Sequence, residues 1–189
     1  MRQYRNNFIT LQPSFLILLA FCLIFLPINW FLGWLLAATV HEFSHIIAIK
    51  ILRVQVYEVL VRSNGALIRT GPMSPATELV CVIAGPVGAL SLLLFSKHLP
   101  YAAVCALMQT AFNLLPIYPL DGGRALKCFF KLLKVEKFAH KSIYYLNIVM
   151  TIALLILVSY AMVKRFRLLF LILFIILIQQ ICSLKITCK

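Results

Sequence analysis

Residues 30–50 read WFLGWLLAATVHEFSHIIAIK. This is an apolar run long enough to cross a bilayer as a helix, with the polar cluster His41-Glu42-Phe43-Ser44-His45 set inside it. At about 3.6 residues per turn, His41 and His45 fall one turn apart on one face, so both imidazoles can reach a single ion. Glu42 lies about 100° round the helix, beside that ion rather than on it. Two neutral nitrogen ligands, with a carboxylate able to take a proton from an attacking water, are the parts of a metal-dependent hydrolase. Ionisable side chains inside a spanning helix are costly unless paired or coordinated. The competing reading makes the histidines buried polar groups bonded to neighbouring helices.

Composition puts the whole chain in the same setting. Of 189 residues, 63% are hydrophobic and only 12% charged, against about 45–50% apolar in a soluble domain. The expected fold is an all-α polytopic membrane protein with about six transmembrane helices and a small β-hairpin between spans two and three. It is read as a single embedded domain over residues 1–189, with its core at 30–125 and a two-helix anchor at 142–185. A net charge of +13 would suggest nucleic acid in a soluble protein. Here it reads as the loop asymmetry that orients membrane proteins, and no nucleic acid is expected. The six cysteines form no C-x-x-C pair, so a zinc ribbon or redox motif is not supported.

The first span is expected at residues 8–27 and the second at 30–50. Residues 54–70 are rich in strand formers and carry Asn64-Gly65, a hairpin-turn signal. They read as a hairpin that is either a connector or an exposed edge able to pair with an extended peptide. The third span, 76–96, contains the small-residue patch AGPVGA at 84–89, which lets another helix approach closely. The fourth starts near Pro100 and ends in NLLPIYPLDGGR, residues 113–124. Pro116 and Pro119 remove helix donors and push the residues before them toward extended geometry. The helix should therefore unwind before Asp121, and a tight turn at Gly122-Gly123 would present the Asp121 carboxylate. Residues 124–141 are basic and amphipathic, suited to an anionic membrane face. Spans five (143–163) and six (168–184) show no polar motif and read as packing or anchoring elements.

A third protein ligand has to come from outside the HEFSH helix. Of the five acidic residues, Glu136 sits among lysines and Glu58 in the hairpin. Asp121 follows the proline-broken backbone at the membrane face where span two ends, and Glu78, at the start of span three, is its rival. His98 and His140 are not assigned to the metal. With the N-terminus cytoplasmic, only Lys97, Lys164, Arg165 and Arg167 fall outside, which leaves 14 of the 18 basic residues inside. That imbalance sets the orientation.

HEFSH on one span, a glycine-proline pair on the next and NLLPIYPLDGGR after it resemble the site-2 protease family of intramembrane zinc metalloproteases (M50 peptidases). The compact chain looks most like the bacterial branch that processes a sporulation sigma-factor precursor. The resemblance covers about residues 30–125. It implies one zinc ion held by His41, His45 and Asp121, with Glu42 as the catalytic carboxylate and Asn113 helping to hold the substrate strand. It also implies a membrane-tethered protein or peptide substrate, a membrane regulatory partner, and a multi-pass location in a bacterial plasma membrane with the site toward the cytoplasm. One departure is Gly88-Ala89, where the family often carries a polar residue after the span-three glycine.

Two other classes compete with a membrane-embedded endopeptidase. A non-catalytic zinc-binding scaffold of the same fold would have no use for Glu42. A multi-span carrier would normally show repeated halves, which this chain lacks. The orientation is open to a direct check. Single cysteines at Ser63 and Lys134, in a background stripped of native cysteine, should resist an impermeant thiol reagent in intact cells. Labelling at both positions would reverse the topology.

Overall fold

The computed structural model describes residues 9–63 and 65–135, together with 142, 144–150, 152–153 and 156. The chain divides into two compact units, Met1–Leu114 and Leu115–Lys189.

The first unit opens with a short strand, β1 (Ile9–Leu11), followed by α1 (Pro13–Phe25). The expected first span is thereby corrected. Gln12 precedes a proline and is held extended, with φ −84° and ψ 148°, so a helix can begin only at Pro13. The 13 residues of α1 cover about 20 Å, short of the roughly 30 Å hydrocarbon core. Next comes α2 (Ile28–Ile51), whose 24 residues do suffice. The stretch Pro75–Phe95, 21 residues long, also suffices; it consists of α3 (Pro75–Leu90) and a continuing 3-10 turn (Ser91–Phe95). Among the described residues these are the two helices long and apolar enough to cross a membrane. Spans five and six fall largely outside the described residues.

The membrane assignment is reinforced by what the unit leaves uncovered. Ile17, Ile24, Val87, Leu94 and Met108 are among its most exposed side chains. A soluble protein would not present so much aliphatic surface to water.

Between α2 and α3 lie β2 (Val56–Arg62) and β3 (Gly65–Thr70), paired antiparallel. Arg62 pairs with Gly65, so the connection falls one residue earlier than an Asn64-Gly65 turn would place it. Gly65 opens β3 with φ 104°, a backbone state that glycine adopts without strain. The pair is not a lone hairpin. β1 adds in parallel to the other side of β2, matching Ile9 with Val59 and Leu11 with Val61, and gives the order β1-β2-β3. Val59 and Leu60 are therefore buried in the middle of a three-stranded sheet, not on an exposed edge. Glu58 faces Arg69 across the pair at 3.0 Å, an exposed contact of small energetic weight.

α4 (Pro100–Asn113) completes the unit. Its core with α2, α3 and the 3-10 turn is made of small residues, Ala37, Ala89, Ala102 and Ala106, closed by Leu92. Small side chains let helix axes come close, so van der Waals contact replaces the hydrophobic drive that lipid cannot supply.

In the second unit the backbone is non-helical from Leu115 to Leu120, as the two prolines require, and α5 runs Asp121–Leu132. Gly122 and Gly123 lie inside the first turn of α5 rather than forming a turn before it. The reason is steric. A Cβ at Gly123 would strike the Ile117–Tyr118 backbone, so glycine here serves close packing of the loop on the helix.

Gly33 offers a test of the small-residue packing. A Cβ there would sit 2.8 Å from the Tyr101 carbonyl carbon and 2.9 Å from the Ala102 nitrogen. Gly33→Ala should lower the melting temperature by the equivalent of about 1–3 kcal/mol. Gly71→Ala, whose Cβ would meet its nearest atom at 3.5 Å, should leave it in place.

Candidate metal centre

The buried face of α2 repeats every four residues as Ala37, His41, His45 and Ile49, the stripe a helix presents to its neighbours. The sequence puts two imidazoles on that stripe, and the fold buries both, His41 at 2% and His45 at 8% exposure. Their Nε2 atoms are 3.2 Å apart.

Hydrogen bonding decides what that distance means. His45 Nδ1 lies 2.7 Å from the Cys81 carbonyl oxygen. A carbonyl only accepts, so Nδ1 carries the proton and Nε2 presents its lone pair. On the other ring, the Asn113 amide nitrogen lies 3.3 Å from His41 Nε2. A cation placed between the two Nε2 atoms would be within reach of both rings. Two nitrogens bound tetrahedrally at about 2.0–2.1 Å would stand about 3.3 Å apart, so the observed spacing fits zinc. The backbone carbonyl behind His45 is the outer support that metal-bound imidazoles ordinarily have.

α3 makes room for this. A Cβ at Gly85 would collide with the His45 imidazole, and one at Gly88 with the Ser44 hydroxyl. Ser44 in turn donates back to the Val40 carbonyl at 2.7 Å. The small-residue patch is thus shaped around the histidine side chain of the facing helix as well as around its backbone.

Glu42 is half-buried and directed toward the sheet, where its Oε1 accepts from the Ala66 backbone N–H at 3.2 Å. The first residues of β3 therefore lie against the carboxylate expected to act as base. Unit one brings together His41, His45, Asn113 and Glu42.

Asp121 belongs to the second unit. It is the first residue of α5, in the helix first turn, and it is buried. The loop before it packs its own Ile117 at 1% exposure and has Lys127 over the Tyr118 ring at 5.3 Å. Asn147 holds that loop, accepting from the Tyr118 N–H at 2.9 Å while buried at 4%. Sequence reasoning passed over Asn147 by treating span five as free of polar features. The available signal was a single amide in an otherwise apolar run. A carboxylate is a donor type that zinc accepts beside imidazoles, and Asp121 is the one expected from the sequence. Of the rivals, Glu78 occupies the first turn of α3, where a carboxylate suits the helix dipole. His98 is exposed, and His140 lies outside the described residues.

With this geometry in place, comparison with known proteins is informative. Residues 69–158 match peptidase family M50. That segment is similar to the M50 peptidases. It takes in α3, α4 and α5, hence Asn113 and Asp121, while the HEFSH helix precedes it. A site-2 protease from Methanocaldococcus jannaschii superposes with a TM-score of 0.63 at 22% identity, covering 91% of this chain and 88% of that one. At this identity the likeness is one of fold, and it spans α2 as well as the M50 segment. No curated protein sequence matches. The family match and the shared fold both agree with the resemblance seen in the sequence.

The glycine beside the imidazole yields a prediction. Gly85→Ala should displace His45 and lower zinc affinity about 10- to 100-fold, read by metal analysis of the purified protein. Val87→Ala, at a position 60% exposed on the same helix, should retain zinc.

Proposed function

We propose that this chain is an intramembrane zinc endopeptidase that hydrolyses a peptide bond in or near a transmembrane segment of a membrane-bound substrate. The observation that carries the proposal is the pair of converging imidazole nitrogens 3.2 Å apart, buried in a spanning helix with a carboxylate on the residue after His41. His41, His45 and Asp121 are its zinc ligands. When bound, zinc supplies a Lewis acid that polarises the scissile carbonyl and makes an attacking water acidic near neutral pH.

Glu42 takes a proton from that water and delivers it to the leaving nitrogen. The Ala66 N–H bond holds its carboxylate toward the sheet until then. Asn113 steadies the substrate strand beside His41. A helical substrate keeps its carbonyls in hydrogen bonds, so it has to unwind locally before cleavage. An unwound segment then needs a strand to pair with. β3 is an edge strand that starts beside Glu42, whereas β2 has neighbours on both sides. The substrate is a membrane-tethered protein or a residual signal peptide, and the site faces the cytoplasm of a bacterial plasma membrane.

A scaffold that merely keeps zinc is the reading to separate from this one. Glu42→Gln should keep zinc and cut the cleavage rate about 10²- to 10⁴-fold. Asp121→Asn preserves size but removes the anionic donor. It should lose zinc by more than the roughly 100-fold that an outer support costs, and cleavage with it. Glu78→Gln should retain both. Zinc content by elemental analysis, alongside cleavage of membrane peptides retained by Glu42→Gln in a trapping experiment, distinguishes the outcomes. Normal cleavage in Glu42→Gln would end the protease reading, and full zinc occupancy in Asp121→Asn would remove Asp121 as a ligand.

A further inference from the structure

Gln109 lies on α4 four residues before Asn113, so both amides stand on one face of the helix. The same stripe carries Ala102 and Ala106, both buried. Asn113 reaches His41 from it. Gln109 Oε1 is itself shut off from solvent, and among the described residues no donor reaches it. A buried amide oxygen without a partner costs about 1–3 kcal/mol, and folded proteins seldom keep one without a use. Leucine at this position would pack the apolar stripe at no such cost. A donor that enters beside α4 would meet this oxygen.

Spacing identifies the donor. Side chains four residues apart on a helix are separated by about 6 Å along its axis. In an extended chain, peptide groups on the same side recur about every 6.6–6.8 Å. Asn113 and Gln109 therefore match two successive same-side peptide groups of one extended strand. A single amide can hold a strand at any register, whereas two in line select one. A helical segment offers no match, because its N–H groups are already committed.

We propose that Gln109 Oε1 accepts a backbone N–H of the unwound substrate, two residues along from the peptide group held at Asn113. Gln109 is then a substrate-positioning residue that favours extended over helical chain and fixes which peptide bond lies at the histidines. This rests on the endopeptidase reading for its substrate, though not for its geometry.

The test uses full-length Glu42→Gln protein in liposomes and a synthetic leucine–alanine transmembrane peptide with a glycine–proline break at its centre. Copies of the peptide replace one backbone amide near the break by an ester, which deletes a single N–H donor. Gln109→Met in this background should raise the Kd about tenfold. One ester position should cost the parent protein the same factor and cost Gln109→Met nothing further, the signature of a broken pair. A merely structural role for Gln109 would weaken every peptide equally and leave the ester penalty in place. An unchanged Kd in Gln109→Met, equal ester penalties in both proteins, or no binding by the parent would overturn the assignment. Cleavage by the zinc-loaded wild type is followed in parallel. Coupling without cleavage removes the protease reading and leaves the Gln109 assignment standing, and cleavage without coupling removes the assignment alone.

Discussion

Two imidazole nitrogens held 3.2 Å apart between packed helices are the constraint on which the first unit depends. His45 is held from its far side by the Cys81 carbonyl, and the Asn113 amide stands beside the His41 Nε2 itself. The arrangement suits a cation that both nitrogens could bind. The packing of the first unit follows from the same demand. α3 has to come near enough for its Cys81 carbonyl to meet Nδ1, and it can do so only because Gly85 and Gly88 leave space for His45 and Ser44. α4 has to bring Asn113 alongside, and it can do so because Ala102 and Ala106 lie where larger residues would hold it off.

The same economy explains why this helix packing is built from alanine and glycine. In lipid, apolar side chains gain little by leaving their surroundings, and close backbone approach supplies the attraction instead. That approach also delivers backbone carbonyls to within reach of side chains. Thr110 lies 3.5 Å from the Pro86 carbonyl oxygen, further along α3 than Cys81, whose carbonyl supports His45. Packing and orientation of the ligands are here one structural fact.

Much of this was legible in the amino-acid order. Histidines four apart with a glutamate between them require one helix face, and hydropathy places that helix in a membrane. Pro116 and Pro119 end α4 before Asp121 by removing donors, and that too can be read directly. Other features depended on partners distant in the chain. The strand at Ile9–Leu11 is hidden in the hydropathy of what reads as one span, because pairing with β2 outweighs the continuity of the apolar run. Gly122 and Gly123 look like a turn, and only the loop packed against them shows why a helix starts there instead. Gly85 was readable as small, but that it is small for the sake of an imidazole appears only when α2 and α3 are side by side. The Asn147 amide had a readable signal, although its partner, a backbone N–H in a proline-rich loop, did not.

The bond from the Ala66 N–H to Glu42 has a consequence for how such a protein can diverge. The donor belongs to the main chain, so no side-chain replacement at Ala66 abolishes it except proline. Gly65 is tied to its left-handed backbone, but the rest of β3 is free to change residue by residue while the carboxylate keeps the same partner. Selectivity and chemistry are thereby uncoupled at their point of contact. On the proposed function, the strand that touches the carboxylate could be rewritten for a different substrate while Glu42 kept its partner.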